Sequence, residues 1–221
     1  TPKGPVYLSL PREVLCEPCP AEGLSDPASM QPARIAPDPA AVADAARLLA
    51  GAENPLVVAQ RGAGDLASFT AFADWAATWG IAVSSWWTTH LAIATDHPCH
   101  VGFDPGPWLA EADVVVILDS LAPWWPDKHP LRPGAKVIQI GPDPLYHRYP
   151  TRTFRSDVTV AGETADALPA LIDAMAEMPR NAARIAERRA MLAETTARQR
   201  AATHKAARAD AARGITKAYA S

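Results

Sequence analysis

Three short runs leave this chain little choice of secondary structure: Pro55 to Ala59 (PLVVA), Ala112 to Asp119 (ADVVVILD) and Ala135 to Ile140 (AKVIQI). Each is too short for a core helix, and each places apolar residues at successive positions. A strand of this kind has both faces buried, which is the signature of a parallel sheet covered on two sides. Ile81 to Ser85 and Asp157 to Val160 read as further, shorter strands.

Helical segments alternate with these runs. Asp38 is a suitable N-cap before Pro39 at the first helical position. The helix that follows puts Val42, Ala45, Ala46, Leu48 and Leu49 on one face and stops near Gly51. LASFTAFADWAATWG has helical period, Pro107 to Glu111 begins a short helix, and Thr164 to Met178 forms an amphipathic one. Strands separated by helices imply right-handed parallel crossovers. The expected fold is therefore α/β, a Rossmann-like parallel sheet of five to six strands with helices on both faces, spanning residues 38–179.

The flanks differ. Gly4 to Leu10 (GPVYLSL) alternates like a strand, yet no partner strand follows it. From Pro11 to Pro39 seven prolines fix φ and remove donors, so this stretch is expected to carry neither helix nor sheet. Residues 180–213 favour helix through alanine and arginine but hold few large apolar side chains. They carry nine basic against three acidic residues without interleaved aromatics. That composition suits an extended helix over a neighbour's surface better than a nucleic-acid arm or an adaptor for an acidic partner.

A net charge of -3 argues against nucleic acid as a dedicated partner of the whole chain. No run of 18 apolar residues occurs, and no apolar stretch follows Thr1-Pro2-Lys3, so the expectation is a cytoplasmic chain with neither membrane span nor signal peptide. Cys16 and Cys19 have CxxC spacing, with His97-Pro98-Cys99-His100 as the only candidate second half of a zinc site. Proline follows Cys19 where a redox motif would open a helix, so free thiols are expected.

Gly62-Ala63-Gly64 lies between a strand and a helix, where backbone amides can hold phosphate. It lacks the later glycine of the dinucleotide fingerprint, and a tight βα turn is the alternative. Asp119 and Asp143 follow strands at the edge where open α/β sheets meet ligands, and either can bind a ribose hydroxyl or brace a turn. The six histidines form no metal-ligand pair, and no GxSxG elbow is present. Trp86-Trp87 and Trp124-Trp125 all fall at carboxyl ends of strands, where they stack on a ligand, plug a crevice or pack against another domain.

Taken in order, GPVYLSLPREVL, the Pro-rich linker, AARLLAGAENPLVVAQRGAG, ADVVVILDS and AKVIQIGPDP resemble the large thiamine-diphosphate enzymes of the acetolactate synthase type. The resemblance implies that residues 1–15 close a pyrimidine-binding domain and 16–37 are a linker. It makes 38–179 the central Rossmann-like domain and 180–221 a helical linker opening a pyrophosphate-binding domain. Those two flanking domains would be this chain's partners, within a homodimer or homotetramer. Thiamine diphosphate and Mg2+ would be held outside this chain, which has no GDG sequence. The full-length protein would decarboxylate and join 2-keto acids, while the chain alone would not be catalytic. Acetolactate synthases hold FAD in this domain, but Asp119-Ser120-Leu121 replaces their Gly-Ala-Arg, so no tightly held FAD is expected. Arg61, Gly62, Gly64, Asp119 and Asp143 remain candidates for a weaker adenine nucleotide. The alternative is a free-standing NAD- or adenine-nucleotide-binding protein of sirtuin-like fold, which would call for a catalytic histidine and usually two CxxC pairs.

Overall fold

The computed structural model describes residues 7–19, 22 and 33–210. The chain divides into two units, Thr1–Arg34 and Ile35–Ser221. In the first, Tyr7, Leu8 and Leu10 are exposed and belong to no strand. Val6 and residues 214–221, on which the expected terminal elements partly rest, lie outside the described residues. The proline-rich stretch departs from expectation by holding one helical turn, α1 (Arg12–Leu15), with Pro11 as N-cap. Six residues separate Pro11 from Pro18, enough for a single turn closed by Leu15 N–H on the Pro11 carbonyl at 3.2 Å. Cys16 and Cys19 are both exposed.

The second unit holds α2 (Pro39–Gly51), β1 (Pro55–Ala59), α3 (Leu66–Trp79), β2 (Ala82–Ser84), α4 (Gly106–Leu109), β3 (Val114–Leu118), β4 (Lys136–Gly141), β5 (Val158–Ala161), α5 (Thr164–Ala176) and α6 (Ala182–Asp210). Its five strands are all parallel, in the order β2-β1-β3-β4-β5. β1 and β3 are buried along their whole length, which is why both read as unbroken apolar runs. Burying each of their large side chains contributes about 1.5–3 kcal/mol. The chain leaves β1 toward β2 on one side and then crosses back over β1 to β3. With right-handed crossovers, that reversal sends α3 and α4 to opposite sheet faces.

Carboxylates set the register at the amino edge. Asp113, just before β3, accepts from Glu53 N–H at 2.7 Å and Asn54 N–H at 2.8 Å, fixing the turn into β1. Asp157, before β5, accepts from Val137 N–H of β4 at 2.9 Å, and its pKa is held low against partial burial by that bond and by Arg155. α5 lies beside α2 and α3, where Trp75 Nε1 donates to Met175 Sδ at 3.2 Å.

The helix expected over residues 180–213 is α6. Its first half rests on α3 of its own chain, with Ile185, Arg188, Leu192 and Thr196 as the buried stripe. Arg188 is only 8 % exposed. Its guanidinium donates to the carbonyls of Trp79 (2.6 Å), Gly80 (3.2 Å), Ala52 (2.8 Å) and Glu53 (3.2 Å). These are the carbonyls at the carboxyl ends of α2 and α3, where the helix dipoles are negative. Burial and the neighbouring Arg184 both lower the Arg188 pKa.

Arg188→Ala strands four carbonyls in a buried site and is expected to destabilise the chain by about 3 kcal/mol. Arg188→Lys, which cannot reach both helix ends, should recover less than half of the loss. Urea unfolding of the three proteins measures both values. A midpoint unchanged in Arg188→Ala contradicts the assignment.

Candidate functional site

Ligands of open α/β sheets bind beyond the carboxyl ends of the strands, where the strand order reverses. Here that place lies between β1 and β3, and it is bridged by Gln60. The Gln60 side chain accepts from Leu121 N–H at 2.8 Å and donates to the Trp87 carbonyl at 3.3 Å. Its backbone carbonyl accepts from Thr89 N–H at 2.8 Å and the Thr88 hydroxyl at 3.1 Å. One residue thus joins the loops after β1, β2 and β3. Nothing in the sequence marks Gln60 for this; a polar residue closing an apolar run is the only hint.

Next to it, Arg61 and Asp119 meet. Arg61 Nη1 donates to Asp119 Oδ1 at 3.2 Å and to the Tyr146 hydroxyl. Burial raises the Asp119 pKa, opposed by Arg61. Burial works against the Arg61 charge, but Tyr146 and Asp119 outweigh it and hold its pKa above the ordinary value. Burial also raises the Tyr146 pKa, against the pull of Arg61.

Arg152 forms the second half of this edge. It donates to the carbonyls of Leu121 (3.1 Å) and Ser120 (3.3 Å) and to Gln139 Oε1 (3.1 Å), and lies 4.6 Å above the Tyr146 ring. Gln139 in turn donates to the carbonyls of Phe154 (3.3 Å) and Arg155 (3.1 Å). This network holds the 143–155 loop over β3 and β4. Tyr146, Gln139 and Arg152 carry no motif, and only the fold brings them together.

The other candidates, Asp143, Gly62 and Gly64, shape turns. Asp143 braces its own turn, accepting from His147 N–H at 3.2 Å and facing His147 Nδ1 at 2.7 Å. Gly62 has φ +82° and faces His90 Cβ. Gly64 has φ +102°, and a Cβ there would stand 2.7 Å from the backbone of Ala165 in the first turn of α5. The N-terminus of α3 meets a carboxylate of its own chain: Asp65 Oδ1 accepts from Ser68 N–H at 2.8 Å, and that bond lowers the Asp65 pKa. Cys99 is buried with its thiol pushed up to about 11, mainly by burial. Among the described residues, no three His, Cys, Asp or Glu side chains converge as metal ligands, and no helix is long and apolar enough to cross a membrane.

Two outcomes follow from this geometry. Gly64→Ala combines a positive φ with a backbone clash and should cost about 2–3 kcal/mol in thermal or urea unfolding. Asp119 is raised above its ordinary 3.8, so the stability linked to it is present below that value and is lost as pH rises through the folded pKa. Arg61→Met removes the cation that opposes the rise. The difference in unfolding free energy between parent and variant should therefore widen from acid toward neutral pH, and a constant difference contradicts the pairing.

Compared by sequence, the chain matches no family model and no curated protein. Compared by structure, it matches an X-ray structure described as that of a thiamin diphosphate-dependent enzyme from Mycobacterium smegmatis at 20% identity and a TM-score of 0.57, over 71% of this chain and 31% of that one. It also matches benzoylformate decarboxylase from Polynucleobacter necessarius at 20% identity and a TM-score of 0.59, over 81% of this chain and 34% of that one. The chain thus spans about a third of the length of either structure. Its fold is that of a domain within these two enzymes.

Proposed function

We propose that this chain is the central domain of a thiamine-diphosphate-dependent enzyme resembling acetolactate synthase. In that reading the full-length protein acts on 2-keto acids by decarboxylation and carboligation, as a homodimer or homotetramer. The central domain spaces the pyrimidine-binding and pyrophosphate-binding domains and is not itself catalytic. The observation that carries the reading is the shared fold, found in two solved structures of which this chain matches only about a third. The order of phrases along the sequence supports it independently.

The residues of this chain do not fit thiamine diphosphate with Mg2+. No cluster of metal ligands occurs among the described residues, and no GDG sequence occurs in the chain. The cofactor would supply its carbanion chemistry between the two flanking domains. The reading also takes the domain to hold no tightly bound FAD, since Gln60 spans the crevice between β1 and β3. Arg61, beside Asp119, is the cation it would offer a weakly held adenine nucleotide.

Calorimetric titration of the isolated chain with thiamine diphosphate and Mg2+ should give no binding heat, whereas the chain joined to both flanking domains should bind stoichiometrically. Stoichiometric binding by the isolated chain, or flavin absorbance in the purified full-length protein, overturns this reading.

A further inference from the structure

One histidine joins two loops at the carboxyl edge of the sheet. His129, in the loop after β3, has a side chain only 13% exposed. Its Nδ1 accepts from Trp125 N–H at 3.2 Å, while the Trp125 carbonyl accepts from Lys128 N–H and His129 N–H, each at 2.9 Å. The 125–129 turn is thus closed twice, by its backbone and by the imidazole. The rest of the ring meets the segment between β2 and α4. Nε2 lies 3.3 Å from Asp104 Oδ1, and the ring stands edge-on to Trp86 with centroids 5.2 Å apart. The fit is close, since a Cβ on Gly106 would stand 2.8 Å from His129 Cδ2.

Only one protonation state satisfies these contacts. Nδ1 can accept from an N–H only while it carries no proton, so the bond to Trp125 requires the neutral tautomer with its hydrogen on Nε2. A second proton turns Nδ1 from acceptor into donor and sets it against another donor. The same proton makes the opposite end of the ring one half of an ion pair with Asp104. The charged ring therefore keeps Asp104 and loses Trp125. Histidine is the side chain that ordinarily changes charge between pH 5 and 8.

The charges around the ring leave Asp104 as its counterpart. From the segment before α4, Asp104 faces it, held in place by accepting from Gly106 N–H at 2.9 Å. On its own loop, Lys128 is turned onto the Trp125 ring at 4.6 Å, and Asp127 is exposed. Among the described residues, Asp104 is the acid within ion-pair distance of His129. The Trp86 side of the ring is uncharged.

We propose that His129 is a pH-sensitive latch between the loops after β2 and β3. The neutral imidazole fastens the 125–129 turn, and protonation frees Trp125 N–H while the ring stays with Asp104. Trp86, Trp87, Trp124 and Trp125 line one shared hollow between these loops, so release alters the aromatic surface that this edge presents. The latch is built wholly from this chain and stands independently of the reading as a central domain.

The test is an NMR titration of the 15N-labelled full chain from pH 8 to pH 5, following the Trp125 amide and the His129 ring nitrogens. The amide should move in one step whose midpoint coincides with that of the ring. His129→Asn places a side-chain oxygen where Nδ1 was and does not titrate, so its Trp125 amide should keep the parent's pH 8 position throughout. Asp104→Asn keeps an oxygen for Gly106 N–H but loses the charge, and should shift the midpoint toward lower pH. A Trp125 amide that does not move with the ring overturns the proposal, as does a ring that carries its hydrogen on Nδ1 at pH 8. The same step in His129→Asn also overturns it, by assigning the change to another group. An unmoved midpoint in Asp104→Asn removes Asp104 as the holder of the charged ring.

Discussion

The packing of this domain turns on one buried guanidinium. Arg188 enters the place where α2 and α3 both end and takes four of their terminal carbonyls. Burying an arginine is costly, and among the described residues no carboxylate hydrogen-bonds to it in return. The cost is offset because helix ends carry unsatisfied carbonyls and the negative pole of the dipole, so one cation serves two helices. Gly80 takes a left-handed conformation there, and a Cβ on it would stand 3.2 Å from Arg188 Cβ. α3 must stop at this point, and β2 starts two residues later. α6 is anchored by the same bonds, which explains how a helix so poor in large apolar residues finds a fixed place on the domain.

The two edges of the sheet use polar groups in opposite ways. At the amino edge, Asp113 and Asp157 take backbone N–H groups of the neighbouring strand or its turn. Charge there is spent on register. At the carboxyl edge, Gln60 and Arg152 bind loop carbonyls and an amide, so the chain's own side chains complete the crevice at the β1–β3 reversal.

The strands were legible because burial on both faces writes itself as consecutive apolar residues. β1 was expected over Pro55 to Ala59 and occupies those residues, and β3 and β4 lie within one or two residues of their expected ends. α2 was legible through Asp38 and Pro39, and Asp38 does cap it, accepting from Ala40 N–H at 3.0 Å. The turn at Gly62 and Gly64 was legible as a turn, but the reason for Gly64 was not. That reason is the approach of α5, a hundred residues later in the chain, which no local pattern records. Arg188 was hidden in a run of exposed arginines, since periodicity counts apolar residues and treats a buried cation as part of the wet face. Tyr146 and Arg152 were hidden because their loop has no regular structure and its partners come from β3 and β4.

Among the described residues, three non-glycine residues adopt positive φ, and each falls after a different strand: Trp87 after β2, Asp119 after β3 and Tyr146 after β4. Such conformations cost of order 1–3 kcal/mol each and persist only where the surroundings hold them. The holders are the side chains that close the edge. Gln60 binds the Trp87 carbonyl, Arg61 binds Asp119 and Tyr146, and Arg152 covers the Tyr146 ring. A parallel strand ending in ordinary extended backbone would run on past the sheet; a left-handed residue turns the chain back across its edge. The bends and the polar closure therefore depend on each other. Strain at the three turns brings the loops within reach of Gln60, Arg61 and Arg152, and their bonds hold the turns bent, keeping the tryptophans beside the sheet rather than dispersed in solvent.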